Sequence, residues 1–293
     1  MKYSAYPMDT ARFRVRPGEA IRLRQYPTDD TRPFKHKRKA ADKLKRGLER
    51  LVTLQELLYA DNRWSMLLIF QGMDAAGKDS AIKHVMSGLN PQGTQVYSFK
   101  RPSDEELDHD YLWRSVKALP ERGRIGIFNR SYYEEVVVVK VHPEILAAEN
   151  VPPSLVTSRI WAQRYDDINA FERYLSRNGT VIRKFFLHVS KEEQRRRLLE
   201  RLDEPSKNWK SQPGDLDERD RWDEYQRAYS QMLSRTSTRH APWFVVPADH
   251  KWFTRLAIAE LIVEALEALD LAFPKPSKEQ LVALAEGRRR LKT

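Results

Sequence analysis

Cysteine is missing altogether from the 293 residues, which excludes disulfides and thiolate metal sites. A reducing compartment is compatible with that, and a cytoplasmic location is the expectation. Long hydrophobic runs are missing too. The most apolar stretch, Leu256 to Phe273, is interrupted by Glu260, Glu264, Glu267 and Asp270. Acids three and four residues apart mark one wet face of a helix, not a membrane span. The first residues, "MKYSAYPMDTARFRVRPGEA", lack the apolar centre of a signal peptide. The seven histidines include no pair at HExxH spacing. Internal repeats and low-complexity tracts are absent as well.

Charge is plentiful. Fifty-two Lys and Arg against 41 Asp and Glu leave a net +11, so the expected partner is an anion. Nucleic acid, an acidic membrane or a polyanionic small substrate would each satisfy that balance. The length suffices for one large core.

Along the chain, residues 1–34 are rich in Pro, Arg and Tyr without a period and read as an extended arm. Leu44, Leu48, Leu51, Leu54 and Leu58 then recur at helical spacing, predicting an amphipathic helix with a basic start. From there apolar runs and helical patterns alternate. "WSMLLIF", "QVYSF", "RIGIF", "TVIRKFFLHV" and "WFVVPA" read as strands. Helices are predicted from Lys78 to Gly88, over "DEELDHDYLWRSVKAL", over "SLVTSRIWAQRYDDINAFERYL", over "KEEQRRRLLERL" with a capping box at Ser190 and Glu193, from Arg221 to Ser234, and from Trp252 to Leu271. The tail, residues 273–293, predicts a short helix with a basic end. Such alternation argues for an α/β fold with a parallel sheet covered on both faces. Ligands of such sheets bind at the carboxyl ends of the strands.

Two motifs sit at strand ends. The first is "GMDAAGKDS", Gly72 to Ser80, a G-x4-G-K loop between a strand and a helix. Glycines let consecutive N–H groups turn toward phosphate oxygens, and the following helix adds its positive end. The candidate cradle is Gly72, Ala75, Ala76, Gly77, Lys78, Asp79 and Ser80, with Lys83 one turn on. Lys78 supplies a mobile point charge. The Ser or Thr that usually follows the lysine is replaced by Asp79. Asp74, an acid within an anion-binding loop, makes sense as a metal ligand, because hard cations take oxygen donors. The second motif is "FNRSYYEE". Asn129 stands where a Walker-B carboxylate is often found. Arg130 suits bidentate phosphate contact, and Glu134 lies four residues on, able to orient it. A charge-dense stretch, residues 191–221, carries Arg197 and Arg201 on one helix face, then Lys207 and Lys210. It reads as a lid that closes on phosphates.

Taken in order, "GMDAAGKD", "NPQGTQVYSFKRPS", "FNRSYYEEVVVVKVHPE", "DEPSKNWK" and "APWFVVPADHKWFTRLA" resemble the polyphosphate kinase type 2 family, over about residues 35 to 270. The resemblance implies a three-layer P-loop kinase fold similar to thymidylate kinase, with a helical lid on a domain spanning 35–272. It implies a Mg²⁺-dependent, reversible transfer of phosphate between inorganic polyphosphate and nucleotides. It assigns Lys78 to the transferring phosphates, Asp74 to the metal, Arg130 and Arg201 to phosphate charge, and Asp215 to metal binding once the lid closes. Lys100 and Arg101 are candidates for the nucleotide side, and Lys83, Lys207 and Lys210 for the polyphosphate groove. Many family members have Asp where this chain has Asn129, which weighs against a Walker-B metal role there. The "FNRSYYEE" form resembles the subgroup that phosphorylates both AMP and ADP. A homo-oligomer is expected, with the Val136–Val139 run and the basic first helix as candidate interfaces. The rival readings are an ATP-dependent nucleotide or small-molecule kinase and a basic nucleic-acid-binding protein with the loop as a switch. No nucleic-acid recognition motif supports the latter.

Overall fold

Seven consecutive buried residues, Ser65–Gln71, form β1. A strand buried on both faces needs neighbours on both sides and cover above and below. The computed structural model describes residues 8–210 and 214–292, and shows how this is met. Thr94–Ser98 forms β2, Ile125–Asn129 β3, Thr180–His188 β4 and Trp243–Pro247 β5. They make one sheet in the order β2-β3-β1-β4-β5. Every pairing is parallel, with Phe70 opposite both Asn129 and Phe185.

The helices are α1 (Lys37–Asp61), α2 (Lys78–Val85), α3 (Asp104–Leu107), α4 (Trp113–Lys117), α5 (Val138–Val141), α6 (Pro143–Ala148), α7 (Ile160–Arg177), α8 (Lys191–Asp203), α9 (Gly214–Asp220), α10 (Trp222–Thr236), α11 (Lys251–Glu267) and α12 (Lys278–Arg290). Side chains alternate across a strand, and two neighbours on β4 show what lies on each face. Lys184 donates to Glu172 of α7 at 2.6 Å and to the Thr236 carbonyl of α10 at 2.8 Å. Arg183 feels Glu264 of α11. So α7 and α10 cover one face, while α11, packed on α1 and α2, covers the other. The expected three-layer α/β arrangement is present.

Several local expectations are corrected. The arm is not simply extended: it makes 3-10 turns at Ala11–Phe13 and Leu23–Gln25. It buries Phe13, Val15, Ile21 and Leu23 against the body. On α1 the buried face includes Lys43 and Gly47, with Leu44 and Leu48 at its flank. Lys43 is tolerated there because Glu260 of α11 meets it at 2.6 Å. The helix expected over "DEELDHDYLWRSVKAL" is split into α3 and α4. Asp110 accepts from the Leu112 amide at 2.9 Å, a local turn that competes with helix. The helix expected from Ser154 starts only at Ile160, after a 3-10 turn at Pro153–Leu155. Val136, Val137 and Val139 are buried in the chain's own interior, so the valine run is not a free interface. The tail does form α12, which buries none of its residues. Parts of three expectations fall outside the described residues: 1–7 of the arm, 211–213 of the lid, and Thr293.

Candidate active site

β1 delivers the chain to Gly72 at the carboxyl end of the sheet. Gly72 has φ +153°, and a Cβ there would lie 2.8 Å from the Leu187 carbonyl, so no larger residue fits. Gly77, at φ +103°, turns the chain into α2. Between them Ala75 holds φ +60° without being glycine, a conformation that persists only where neighbours impose it. The neighbour is Arg197 of α8. Its Nη1 donates to the carbonyls of Ala75 at 3.1 Å and Ala76 at 2.9 Å. Its other nitrogens donate to Glu193, Ala248 and Asp249. Arg197 was expected among the phosphate ligands. The structure instead buries it behind the loop, with Nε and both Nη atoms donating to protein oxygens.

Lys78 folds into the loop it follows. Its Nζ donates to the Gly72 carbonyl at 2.6 Å and the Met73 carbonyl at 3.2 Å. Burial, and then the nearby Arg130 charge, lower its pKa. Asp74, Glu134 and Asp79 offset this in part, and a buried ammonium whose direct partners are two carbonyls gains further from an incoming anion. Across the loop, Arg130 leaves the end of β3 at φ +63°. Its guanidinium meets Asp74 at 2.9 Å and Glu134 at 3.3 Å. Glu134 outweighs burial, and Asp74 adds to it, so the Arg130 pKa lies above its ordinary value. The Arg130–Glu134 pair has the expected spacing for a different reason. Arg130 is not helical, and Glu134 lies in a 3-10 turn, Tyr132–Val136.

Asp79 occupies the place of the missing hydroxyl and accepts from the Asn129 amide at 2.7 Å. Ser80, one residue late, accepts from Arg255 of α11 at 2.8 Å. The amide at 129 therefore donates to the acid at 79, which a carboxylate could do only if protonated. Gly72, Asp74, Ala75, Ala76, Gly77, Lys78, Asp79, Ser80, Asn129, Arg130 and Glu134 are thus gathered at one end of the sheet. Lys83 is exposed one turn along α2, and Lys100 and Arg101 are exposed just beyond β2. Arg114 of α4 holds the Lys100 carbonyl at 2.8 Å.

The expected lid residues sit on α8 and α9 and between them. Arg201 faces Asp215 at 3.7 Å, so these two candidates meet each other. Lys207 is paired with Glu200 at 2.6 Å and with Glu204. Lys210 ends the 3-10 turn Pro205–Lys210, and its side chain lies outside what is described. Two further contacts fasten the lid to the body. Gln194 donates to the Asp74 carbonyl at 3.0 Å and accepts from Arg219 of α9 at 2.7 Å. His142 bridges Glu144 at 2.9 Å and Glu218 of α9 at 3.0 Å. Sequence reasoning missed Arg255, Gln194, Arg219 and His142. His142 and Arg255 even lie within the quoted family stretches, but each of the four acts through a contact with a distant segment that spacing does not reveal.

The donor set also bears on the expected metal. Among the described residues no group of three or more His, Asp or Glu gathers as an ion cage. Mg²⁺ needs none, since it commonly takes one or two carboxylates and completes its shell with phosphates and water. The half-exposed Asp74 carboxylate beside the phosphate loop fits that arrangement.

Comparison with known proteins converges on the same chemistry. The family model Polyphosphate kinase 2 (PPK2) matches residues 35–274. An ADP-polyphosphate phosphotransferase of Rhodopseudomonas palustris is 50% identical over 283 residues, covering 96% of this chain and 98% of the relative. An AMP/ADP-polyphosphate phosphotransferase of Meiothermus ruber is 44% identical over 266 residues, covering 90% of this chain and 96% of the relative. The crystal structure of polyphosphate kinase 2 from Arthrobacter aurescens TC1 superimposes with a TM-score of 0.88 at 38% identity, covering 98% of this chain and 99% of that one. With a phosphate loop between β1 and α2, and with likeness of this extent in sequence and fold, the chain belongs to the polyphosphate kinase 2 family.

Proposed function

We propose that the protein transfers phosphoryl groups between inorganic polyphosphate and AMP, ADP or both, reversibly, with ATP among its products. The names of the two relatives support these substrates. The observation that carries the reading is Lys78. Its ammonium is buried in the loop and donates to the Gly72 and Met73 carbonyls, bonds that an incoming phosphate would replace. The acceptor of such a reaction is itself a phosphate anion, so no general base is required. Alignment and charge neutralisation supply the acceleration. Lys78 binds the transferring phosphate, and Arg130, aimed by Asp74 and Glu134, holds its partner. Lys100 and Arg101 serve the nucleotide, while Lys83, Lys207 and Lys210 line the polyphosphate path. Arg201 brings further charge from the lid. When bound, Mg²⁺ neutralises phosphate charge at Asp74, with Asp215 a second candidate ligand. We further place the enzyme in the cytoplasm as a homo-oligomer, with neither nucleic acid nor membrane as partner. The absence of cysteine agrees with that compartment, and no described helix is long and apolar enough to span a bilayer.

The test is incubation with long-chain polyphosphate, Mg²⁺ and AMP without ATP, with products followed by chromatography. ADP followed by ATP is expected, and Lys78→Ala should lower the rate roughly 10²- to 10³-fold, the loss typical of removing one charge-stabilising group. No product from polyphosphate, while ATP phosphorylates an acceptor in the same buffer, would overturn the donor assignment.

A further inference from the structure

Residues 8–34 lie outside the segment that the family model matches, and the chemistry above does not use them. They are nonetheless fastened to the body. The Val15 amide donates to the Trp243 carbonyl, and the Ile21 and Leu23 amides donate to Ser234 and Ser230 of α10. These contacts hold the arm down. Thr28 is connected differently. Its Oγ1 donates to Asp249 Oδ2 at 2.7 Å, and its carbonyl accepts from the Asp249 amide at 3.0 Å. The other carboxylate oxygen of Asp249 accepts from the Ser190 amide at 2.8 Å, at the start of α8. The Asp249 carbonyl accepts from Arg197 at 3.2 Å, and the other end of Arg197 holds Ala75 and Ala76.

The capping of α8 shows why Asp249 matters. Ser190 accepts from the Glu193 amide at 3.1 Å, half of the box expected there. The returning bond, from the Ser190 amide to the Glu193 carboxylate, is replaced by Asp249. Glu193 is thereby released to accept from Arg197 Nε at 2.7 Å. Asp249 thus acts on Arg197 twice: through its own carbonyl, and by freeing the carboxylate that aims the guanidinium. Arg197 in turn imposes the left-handed turn at Ala75.

We propose that Thr28 is a positioning residue of the active site. It acts through Asp249 and Arg197 to hold the phosphate loop in its binding conformation, so the arm is a working part of the enzyme. The inference rests on reading that loop as the phosphate site. The experiment compares Thr28→Val, Thr28→Ala and Thr28→Ser with Thr31→Val. Thr31 loses a hydroxyl of the same arm, one that only meets the Phe34 carbonyl. Hydrogen exchange of the segment 72–80 is measured on the full-length protein without substrate, and kcat and KM follow with polyphosphate and AMP or ADP. Thr28→Val and Thr28→Ala should speed exchange in 72–80 at least about threefold. They should also lower kcat roughly fivefold with little change in KM, since small misplacement of a catalytic loop costs rate. Thr28→Ser should restore both, and Thr31→Val should change neither. Unchanged exchange in 72–80, with the effect confined to residues 8–34, overturns the proposal. Equal effects from Thr31→Val overturn it too, since they show general loosening. If wild type uses no polyphosphate, the functional reading fails, while loop exchange still decides the role of Thr28.

Discussion

Asn129 and Asp79 illustrate how much a single atom decides. Asn129→Asp replaces a donor by an acceptor 2.7 Å from a carboxylate. Two carboxylates at that distance cannot both stay ionised without cost, so one takes up a proton or the pair separates. The expected result is a roughly tenfold loss of kcat/KM at neutral pH. The double variant Asn129→Asp, Asp79→Asn restores one donor and one acceptor and should regain most of it. Steady-state kinetics with saturating polyphosphate checks both, and a double variant no better than the single would refute the pairing. At this scale the loop was legible, because Gly72, Gly77 and Lys78 carry their chemistry at fixed spacing. The partners of the loop were not. Arg197 reaches Ala76 across 121 residues, and nothing local in "EEQRRRLLERL" distinguishes it from the exposed Arg195 and Arg196 beside it.

Helices were legible as elements and less so in their faces and ends. On α1 the leucine spacing pointed to the right helix, but burial falls on Lys43, because Glu260 waits on α11. Lys43→Ala should cost about 3–5 kcal/mol by stranding that carboxylate. Lys43→Met with Glu260→Leu should be near neutral, since it removes both charges and fills the space. Denaturant unfolding separates the two, and equal losses would show that the pair matters only for packing. The attachment of α9 should depend on pH. Burial pushes the His142 pKa down, but hydrogen bonds to Glu144 and Glu218 more than reverse this, against a lowering contribution from Arg221, and the net shift is upward. Tyr225, which also donates to Glu218, shares the cluster. A histidine with a raised folded-state pKa stabilises fully below its ordinary value, near 6.5, and loses that contribution as pH rises through the raised value. Wild type should therefore melt above His142→Gln at pH 6, with the gap closing toward alkaline pH. A gap that does not change with pH would mean that the charge is not involved.

For the molecule as a whole, composition called for an anionic partner without choosing among three classes, and the sheet gathers the loop motif and Arg130 at its carboxyl end. A net charge of +11 attracts a long polyanion far more than a mononucleotide. Raising salt from about 50 to about 300 mM shortens the screening length, so the KM for long-chain polyphosphate should rise several-fold more than that for AMP. Equal sensitivity would place the polyphosphate contacts entirely within the loop. The parallel order of the strands was foreshadowed by their alternation with helices. What joins the arm to the last strand was invisible, because Phe13 and Val15 stand in a stretch with no period.

That junction has a consequence for the newborn chain. The Val15 carbonyl is held by Ser237, 222 residues away, and the brace behind the phosphate loop comes from Ala248 and Asp249. A ribosome reading this message makes the loop early and the wall behind it almost last. Until β5 and the two residues after Pro247 emerge, the arm has only its α10 contacts, and the far side of Arg197 lacks the carbonyls that hold it. A chain that stops before β5 carries every motif of its first half but should hold its phosphate loop less firmly, because Arg197 is then anchored on one side only.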